Sequence, residues 1–381
     1  MNKVIFHIVQ SELLRALQLV SRTVVANNPV PILSGIYVSA ELQQLMLIAG
    51  NAVSRIQYRI PVERNGCEIV QPGSVVVPAK YLLEWVRKLP PGVVTFEVSS
   101  AFLVTVRSGA AVCRIGGMNP EDYPSTPEKT AVYPAFRISN EALKRAIQQV
   151  AFAVSTSESR PVLTGVHCQV SNTALRLSAS DSIRLAIGQA PIQRESETDA
   201  EVPPFIVPGK VLYDFSKMIP DTKEMTRIVV CSQQIRLQTE QLEAHLMLLL
   251  GTYPSVDRII PSEFATEMVV STSGFLEAIE RVTLMSGEGN PVKLDSTCAK
   301  TVQFASRTAE IGEVFEEVPV RDLSGEAVSV CFNGKYMTDI VRAIDSTHLA
   351  VRFSGKSSPI LLQPAGCPDS QYLLTPIRTH A

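Results

Sequence analysis

One helical pattern occurs three times in this chain at nearly constant spacing. Each occurrence is a large apolar residue with Ala at i+3, Leu or Ile at i+4 and Val at i+7, and the three begin at Leu13, Leu143 and Phe275. Such spacing places the four side chains on one face of an amphipathic helix. A repeat length of about 130 residues therefore divides the chain into three copies of one plan.

Two further sequence markers recur at nearly the same spacing. The segment VPAKYLL at 77–83 returns as VPGKVLY at 207–213, and more loosely as FNGKYM at 332–337. In each, Pro or Asn-Gly followed by Lys and apolar residues predicts the start of a second helix. The segment PILSGI at 31–36 matches PVLTGV at 161–166. Colinear markers with one offset indicate a triplication.

The remaining segments alternate apolar and polar residues, as in 93–98 and 102–106, and similar pairs occupy 228–237 and 350–362. This period of two predicts hairpin-linked strands. Each copy is therefore predicted to be α+β, with two helices and several antiparallel strands. The expected N-caps of the first helices are Ser11, Ser139 or Asn140, and Ser273.

Two Pro-rich polar stretches, 120–134 and 253–263, separate the copies. They predict linkers, and so domains at 1–134, 135–263 and 264–381.

The composition excludes a disordered chain, since 45% of the residues are hydrophobic and 19% charged. The net charge of −2 requires that any nucleic-acid surface be local. Seven widely spaced cysteines without a CxxC pair are interpreted as reduced thiols, mostly in cores. The N-terminus lacks the apolar stretch of a signal peptide and no apolar run approaches a membrane span, so a soluble, cytoplasmic protein without a membrane partner is expected.

No constellation indicates catalysis. The five histidines have no metal-ligand spacing, no phosphate-binding glycine loop occurs, and no serine stands in a nucleophile elbow. The carboxylates of Glu121 and Asp122 are interpreted as linker charge. The run Glu310, Glu313, Glu316 and Glu317 is interpreted as an acidic strand edge. We expect no enzyme, metal or cofactor, with an unknown hydrolase as the disfavoured alternative.

The polar faces of equivalent helices carry Lys, Arg and Gln. A solvated face is the simplest interpretation, but together these side chains would also form one basic surface suited to phosphates. The cations concerned are Arg15, Arg22, Lys80, Arg87, Lys88, Lys144, Arg145, Lys210, Lys217, Lys335 and Arg342.

The whole chain resembles the beta subunit of bacterial DNA polymerase III, the replicative sliding clamp. The most specific segments are PILS at 31–34, AFAVS at 151–155 running to RPVLTG at 160–165, SDSIRLA at 180–186, YP with RIIP between 253 and 261, and the terminal YLLTPIR.

The resemblance implies three tandem DNA-clamp domains per chain and a head-to-tail homodimeric ring. Duplex DNA, bound without sequence preference, would thread the hole, and the cations above together with Arg160 would face it. The implied partners are the polymerase III catalytic subunit, the clamp loader and other proteins that carry a clamp-binding motif. The clamp would give processivity by tethering, with no reaction of its own.

The resemblance also implies a pocket for partner peptides between the second and third domains. Its residues would be Leu163, Ser180, Asp181, Ser182, Ile183, Arg184, Leu185, Pro254, Arg258, Ile259, Ser358, Leu373, Leu374, Pro376, Ile377 and Arg378. Here Ser182 and Ile183 stand where the family usually has Gly and His. Arg184→Ala, or deletion of 373–381, is expected to abolish peptide binding while leaving the dimer intact.

At the ring interface the resemblance points to Cys113 and Ile115 against Leu284 and Met285, with the acidic run facing basic residues such as Arg114. Two alternatives remain open at this point. One is a clamp paralogue with altered partner specificity, and the other is a non-catalytic scaffold that binds proteins without encircling DNA.

Overall fold

The repeated pattern forms the same elements in the same order three times. In this computed structural model the structure describes residues 3–25, 28–62, 66–124, 133–195, 201–298, 300–308, 310, 312–366 and 369–378. In every copy a strand leads into a first helix, and further strands follow the second helix; between the two helices lie five strands in the first and second copies and four in the third.

The elements of the first copy are β1 (Val4–Val9), α1 (Gln10–Val20), β2 (Gly35–Glu41), β3 (Gln44–Gly50), β4 (Ser54–Pro61), β5 (Glu68–Gln71), β6 (Gly73–Pro78), α2 (Ala79–Lys88), β7 (Val93–Val98), β8 (Leu103–Ser108) and β9 (Ala111–Gly116). Those of the second copy are β10 (Phe136–Ser139), α3 (Asn140–Ala151), β11 (Gly165–Val170), β12 (Ala174–Ser180), β13 (Arg184–Pro191), β14 (Gln193–Arg194), β15 (Phe205–Pro208), α4 (Gly209–Ser216), β16 (Met225–Val230), β17 (Gln234–Gln238) and β18 (Leu242–Met247). Those of the third copy are β19 (Thr266–Ser271), α5 (Thr272–Thr283), β20 (Pro291–Cys298), β21 (Thr301–Thr308), β22 (Gly312–Gly325), β23 (Ser329–Asn333), α6 (Gly334–Ala343), β24 (His348–Phe353), β25 (Ile360–Pro364) and β26 (Gln371–Leu374).

The six predicted helices are present, and α3 begins directly after Ser139, one of its two predicted caps, but the caps predicted for α1 and α5 are wrong. Helix α1 begins at Gln10, directly after Val9, which offers no side-chain cap, so Ser11 lies inside the first turn. In α5 the cap is Ser271, whose side chain accepts a hydrogen bond from Gly274 N, and not Ser273. Asn140 opens α3, and its amide oxygen instead accepts from Thr226 Oγ1 at 2.7 Å. Each of these helices follows its leading strand directly, so a capping residue, as in α5, is the last residue of that strand.

The described residues form two compact units. Unit 1 contains those of 1–140, 193–200 and 217–248, and unit 2 contains those of 141–192, 201–216 and 249–381. Unit 1 has a five-stranded sheet, β5-β1-β7-β8-β9, and a nine-stranded sheet, β14-β10-β16-β17-β18-β4-β3-β2-β6. Unit 2 has one twelve-stranded sheet, β15-β11-β12-β13-β26-β25-β24-β19-β22-β21-β20-β23.

Two of these pairings join different copies. Strand β18 of the second copy pairs antiparallel with β4 of the first, and β26 of the third copy pairs antiparallel with β13 of the second. In both cases the last strand of one copy adds to the third strand after the first helix of the preceding copy. The copies are thus connected by the same junction used twice.

The helical stripes predicted from the repeat are buried. Leu13, Leu143 and Phe275, which begin the three stripes, are at most 2% exposed. Cys67, Cys168 and Cys231 are buried, while Cys113 and Cys331 are partly exposed. The predicted linker at 120–134 lies largely outside the described residues. Within the described ranges, none of the helices is long and apolar enough to cross a membrane.

Candidate functional site

An apolar cluster in unit 2 contains three of the residues assigned to the peptide pocket, Leu163, Leu185 and Leu373. These leucines pack with five further buried residues. The full cluster is Leu163, Leu185, Ile187, Ile206, Tyr253, Val256, Leu361 and Leu373, against which Val162, Leu249, Ile260 and Phe264 also pack.

The sheet register explains why the leucines meet. Leu185 on β13 lies opposite Leu373 on β26, and Leu373 lies opposite Leu361 on β25. We call this line of three residues the leucine row. Directly opposed side chains on neighbouring strands lie on the same face of a sheet, about 4.5–5.5 Å apart. The leucine row therefore forms a continuous apolar strip across the junction of two copies.

Exposed apolar side chains border this strip. Ile183 is 44% exposed and Ile259 is 50% exposed, although isoleucine is usually buried. Ile183 precedes β13, and its carbonyl accepts a hydrogen bond from Thr375 N at 2.9 Å. Ile259 adjoins Ile260, which packs on the cluster. The apolar cluster thus continues to the surface, where a partner side chain can reach it.

Tyr253 forms a fixed wall of the apolar cluster. Its hydroxyl accepts a hydrogen bond from Ser180 N at 2.9 Å, and its ring stacks on His167 with centroids 4.9 Å apart and planes 2° apart. Burial raises the pKa of Tyr253 to about 12. Burial, with a smaller effect of the nearby Arg176, lowers the pKa of His167. Both rings are neutral near pH 7 as a result, which suits an apolar wall.

The turn that carries Arg258 and Ile259 is held by an ion pair. Arg176 on β12 donates to Asp257 at 2.5 Å, and this hydrogen bond lowers the pKa of the Asp257 carboxyl. Asp257 opens a short 3-10 turn, Asp257–Ile259. The stretch 253–263, predicted to be a linker, therefore contributes buried and anchored residues to the cluster.

Arg184 does not point into the apolar cluster. It precedes Leu185 on β13, so its side chain lies on the opposite face of the sheet. Its guanidinium contacts Asp181 at 3.0 Å, Asp339 of α6 at 2.6 Å and the Phe152 carbonyl at 2.9 Å. It also lies 4.5 Å from the centroid of the Tyr336 ring. The side chain, only 10% exposed, fixes β13 against the helices.

This geometry corrects two expectations about variants. Arg184→Ala would leave Asp181 and Asp339 without their cation, so a structural defect is expected together with any binding defect. Deletion of 373–381 would remove half of β26, an interior strand whose Leu373 and Leu374 are at most 4% exposed. Neither change isolates peptide binding from folding.

The other residues assigned to the pocket differ in exposure. The exposed ones are Ser182, Ile183, Pro254, Arg258 and Ile259. Arg378 is exposed as well, whereas Ser180, Leu374 and Pro376 are buried and Asp181, Ser358 and Ile377 are intermediate. Ile377 N donates to the Cys331 carbonyl at 2.7 Å, which places this part of the chain against β23.

The helices carry more cations than anions, unlike the rest of the chain. Their six ranges hold ten Lys or Arg and seven Asp or Glu, whereas the remainder holds 25 and 30. Most of the cations assigned to DNA are exposed, with Lys144 intermediate. Some are engaged within the chain: Arg87 pairs with Glu84 at 2.6 Å and Arg342 with Glu280 at 2.8 Å. The positive excess of the helices is real but modest.

Among the described strands, two edges lack the partner that their counterparts have. Strand β9 ends the five-stranded sheet and pairs only with β8 among the described strands. Residues 312–319 of β22 pair with β21 on one side, whereas pairing with β19 is confined to the C-terminal part of the strand. The residues assigned to the dimer interface lie near these edges. Cys113 and Ile115 are on β9, and Leu284 and Met285 follow α5, where a Cβ built on Gly312 would lie 3.8 Å from Met285 Cε.

Comparison with known proteins decides the family. Sequence profiles of the DNA polymerase III beta subunit match in order, with the N-terminal domain at residues 4–127, the central domain at 137–255 and the C-terminal domain at 257–378. The chain belongs to the DNA polymerase III beta subunit family.

Named beta subunits match over almost the full length. The beta sliding clamp of Bacillus subtilis strain 168 is 34% identical over 380 residues, covering 98% of this chain and 100% of that protein. The beta sliding clamp of Halalkalibacterium halodurans is 34% identical over 366 residues, covering 95% and 96%.

Solved structures of the family match the fold. The crystal structure of the B. subtilis DNA polymerase sliding clamp superposes with a TM-score of 0.93 at 33% identity over the whole of both chains. A Pseudomonas aeruginosa sliding clamp bound to griselimycin gives 0.92 at 25% identity, covering 99% of this chain and 100% of that one. The α+β fold with three clamp domains, predicted from the sequence, is confirmed.

The apolar cluster contains residues that the sequence did not nominate. Tyr253, Val256 and Leu361 belong to the apolar cluster, and Arg176 with Asp257 anchors its turn. Tyr253 stands inside the predicted linker. The signal that could have found it is its equivalence to Tyr123, which lies one repeat length earlier and is also followed by Pro.

Proposed function

We propose that this chain is a DNA sliding clamp: a head-to-tail dimeric ring that encircles duplex DNA and tethers the replicative polymerase. Membership of the beta subunit family and full-length similarity to proteins named beta sliding clamps support the proposal. The observation that carries the ring is a pair of strand edges, β9 and the N-terminal half of β22, that have no partner among the strands the structure describes. The proposal retains domains at 1–134, 135–263 and 264–381.

The internal repeat predicts what those edges bind. Strands β9, β18 and β26 are counterparts, because each is the last strand of its copy. Strands β4, β13 and the N-terminal half of β22 are counterparts, because each is the third strand after the first helix. Two of the three possible junctions exist within the chain, β18 with β4 and β26 with β13. The third, β9 with β22, joins a first copy to a third copy, so repeating it between two chains closes a ring.

The register of this intermolecular junction follows from the register within each copy. Cys113 is the counterpart of Ala244, and Phe315 is the counterpart of Gln57. The equivalence of Cys113 and Ala244 comes from two matching cross-strand rows. One row is Phe6, Phe96, Val106 and Cys113 in the first copy, and the other is Phe136, Ile228, Leu237 and Ala244 in the second. The equivalence of Phe315 and Gln57 comes from a second pair of matching rows. These are Tyr37, Ile48 and Gln57 in the first copy, and Lys293, Ala305 and Phe315 in the third.

In the β18–β4 junction Glu243 lies opposite Gln57. Transfer of this register sets Val112 opposite Phe315, Cys113 opposite Val314 and Arg114 opposite Glu313. Val112 and Phe315 are 42% and 58% exposed, so their contact would bury two apolar side chains.

The remaining contacts of this junction also suit an interface. The Arg114–Glu313 pair joins opposite charges, which is favourable for residues directly opposed across strands. Glu316 is unavailable to a partner because it is already ion-paired with Arg281 of its own chain. Ile115 would face Gly312 near Met285, which brings together the residues assigned to the interface.

The helices would supply the DNA-facing surface. Their excess of cations, against an acidic remainder, favours phosphates and disfavours nucleic acid elsewhere on the chain. The residues proposed to face DNA are Arg15, Arg22, Lys80, Arg87, Lys88, Lys144, Arg145, Arg160, Lys210, Lys217, Lys335 and Arg342. Because Arg87 and Arg342 are also paired with glutamates, we propose a weak attraction that permits sliding.

The apolar cluster would bind short peptides of the polymerase, the clamp loader and other clamp-binding proteins. Tethering raises the effective concentration of the polymerase at the primer end, which gives processivity without catalysis by the clamp. Primer extension on circular DNA with polymerase and clamp loader tests this role. A replicative clamp lengthens the extension products, whereas a paralogue dedicated to other partners leaves their length unchanged.

Disulfide trapping tests the junction. In the transferred register Val314→Cys lies opposite native Cys113, and Cα atoms of opposed residues are about 4.5–5.5 Å apart, within the range for a disulfide. We expect oxidised Val314→Cys to give a covalent dimer of twice the chain mass of 41.6 kDa on a non-reducing gel. Phe315→Cys is the matched control, because its side chain points to the other face of the strand. Equal trapping by both variants, or by neither, would contradict the junction.

A further inference from the structure

A cavity of about 170 Å³ lies in unit 1, apart from the apolar cluster. Its lining residues are Leu33, Gly50, Asn51, Ala52, Ser54, Arg55, Tyr123, Pro124, Gln234, His245 and Met247. They come from β3, β4, β17 and β18 and from the segments around Leu33 and Tyr123. A cavity of roughly 150 Å³ is large enough for a benzene ring, so one apolar side chain fits here.

The walls of this cavity repeat those of the apolar cluster. Leu33, Tyr123 and Pro124 stand one repeat length before Leu163, Tyr253 and Pro254. The aromatic contact is repeated as well. Tyr123 packs on Tyr37 with centroids 5.5 Å apart, just as Tyr253 packs on His167, and Tyr37 is the counterpart of His167 in the repeat. The β18–β4 junction thus builds a counterpart of the proposed peptide site.

The strand residues beneath the cavity differ from those at the equivalent positions of the apolar cluster. At the positions of the leucine row, unit 1 has Arg55 on β4, His245 on β18 and Arg236 on β17. His245 lies opposite both Arg55 and Arg236. We call these three residues the cationic row. An apolar strip in unit 2 is therefore replaced in unit 1 by a line of two permanent cations and one histidine.

The cationic row has a carboxylate beside it. Glu243 accepts from Arg59 at 2.5 Å and contacts His245 Nε2 at 3.0 Å, but its distance to Arg236 Nε is 4.0 Å, too long for a hydrogen bond. The hydrogen bonds with His245 and with Arg59 hold the pKa of Glu243 at about 2. Glu243 is thus ionised and already engaged by Arg59.

Hydrogen-bonding capacity remains unused around the cavity. Arg236 Nε, a donor that neighbours His245 in the cationic row without lining the cavity itself, is buried and has no hydrogen-bond partner among the described residues. The Arg55 guanidinium donates to the Pro124 carbonyl at 2.5 Å and lies 5.5 Å from the Tyr123 ring centroid. Buried donors without partners are rare in proteins. Charge complementarity therefore favours an anionic ligand.

We propose that this cavity is a second peptide site of the clamp, selective for acidic peptides. An aliphatic side chain would occupy the space between Leu33, Tyr123 and Met247, and an adjacent carboxylate would lie on the cationic row. The apolar walls favour a peptide over nucleic acid, whose phosphates would leave them uncovered. The inference rests on the proposed function, because it uses the apolar cluster as its template.

Photo-crosslinking to the full-length protein locates both sites in one experiment. The probes are acetyl-Gly-photoleucine-Asp-Glu-amide and its neutral analogue with Asn-Gln, and labelled fragments are identified by mass spectrometry. We expect the acidic probe to label segments around Leu33, Arg55, Tyr123 and His245. The neutral probe should label the segments of the apolar cluster in unit 2. Labelling by the neutral probe tests the proposed function, so the two hypotheses can fail independently.

Substitutions test the role of the cationic row in binding the acidic probe. Arg55→Leu with His245→Leu should reduce labelling of the cavity by the acidic probe about tenfold, since charge-assisted hydrogen bonds are lost. The same variant should admit the neutral probe. Glu243→Gln should increase acidic labelling by removing a competing carboxylate. Arg107→Leu, an exposed arginine of β8 in the same unit, is the control and should have no effect.

Three outcomes would overturn the inference. One is absence of acidic labelling at the cavity, and another is labelling unaltered by Arg55→Leu with His245→Leu. The third is displacement of the acidic probe by a single-stranded oligothymidylate, which would show a site for phosphates.

Discussion

Ser182 has a backbone conformation that serine rarely adopts. Its φ is +75°, in the left-handed region, where a Cβ is costly and glycine is favoured. The resemblance described above implies glycine at this position, which suits this geometry. The turn is kept by hydrogen bonds from Ile183 N and Arg184 N to Asp181 Oδ1, at 3.0 and 2.8 Å. The chain therefore tolerates strain at the start of β13, beside the apolar cluster.

We expect Ser182→Gly to stabilise the protein by about 0.5–1 kcal/mol, because relief of the strain exceeds the added backbone entropy of the unfolded chain. Urea unfolding measures this change. Ser100→Gly, at an exposed turn serine whose φ is not positive, is the control and should be neutral or destabilising. A loss of stability in Ser182→Gly would contradict backbone strain at Ser182.

His167 gives the apolar cluster a pH dependence. Its folded pKa lies below the ordinary value of 6.5, so the unfolded chain binds a proton more readily than the folded one. Stability is then unaffected above pH 6.5 and falls as the pH drops from 6.5 toward the folded pKa. His167→Phe keeps a ring against Tyr253 but cannot be protonated.

We expect this variant to show a shallower fall in unfolding free energy between pH 6.5 and 5 than the wild type does. Carboxylates with lowered pKa values, such as Glu243 and Asp257, titrate at lower pH and do not disturb this window. Thermal unfolding across the range measures the slope. An unchanged slope would refute the assignment of the effect to His167.

At the scale of elements, the groups proposed to bind a peptide are separable from those that stabilise the fold. Ile183 and Ile259 are half-exposed, so truncating them removes apolar contact area for a partner while leaving the buried leucine row in place. We expect Ile183→Ala and Ile259→Ala each to weaken binding of a neutral apolar peptide about tenfold, which corresponds to about 1.4 kcal/mol.

Calorimetric titration provides the affinities. Leu42→Ala is the matched control, an apolar residue 77% exposed in unit 1, and should leave peptide affinity unchanged. Wild-type affinity in both isoleucine variants would remove the proposed peptide site from this surface.

The elements also show how far the sequence predicts the structure. The stripes that begin at Leu13, Leu143 and Phe275 predict helices correctly, because burial of one face leaves a local periodic signal. The pairing of β18 with β4 leaves no such signal, since the two strands belong to different copies and are far apart along the chain. Tyr253 falls within a predicted linker because a Pro-rich, polar neighbourhood indicates exposure. Its burial depends on His167 and Ser180, which only the fold brings to it.

At the scale of the whole molecule, one rule connects the copies. The last strands of the second and third copies each pair with the third strand after the first helix of the preceding copy. The net charge of −2 does not by itself favour a DNA partner, but the six helices alone carry ten cations against seven anions. A ring needs its positive charge only where it faces the duplex. The fold and the charge distribution therefore both favour the proposed dimeric ring around duplex DNA.

Topological linkage to DNA tests the central claim most directly. Val314→Cys would be incubated with nicked circular DNA at low salt and then oxidised to lock the ring. Gel filtration in high salt, which suppresses phosphate contacts, follows. We predict that the locked protein stays with circular DNA and is released when the DNA is cut to linear form. Release from both forms, or retention on both, would contradict a ring that encircles DNA.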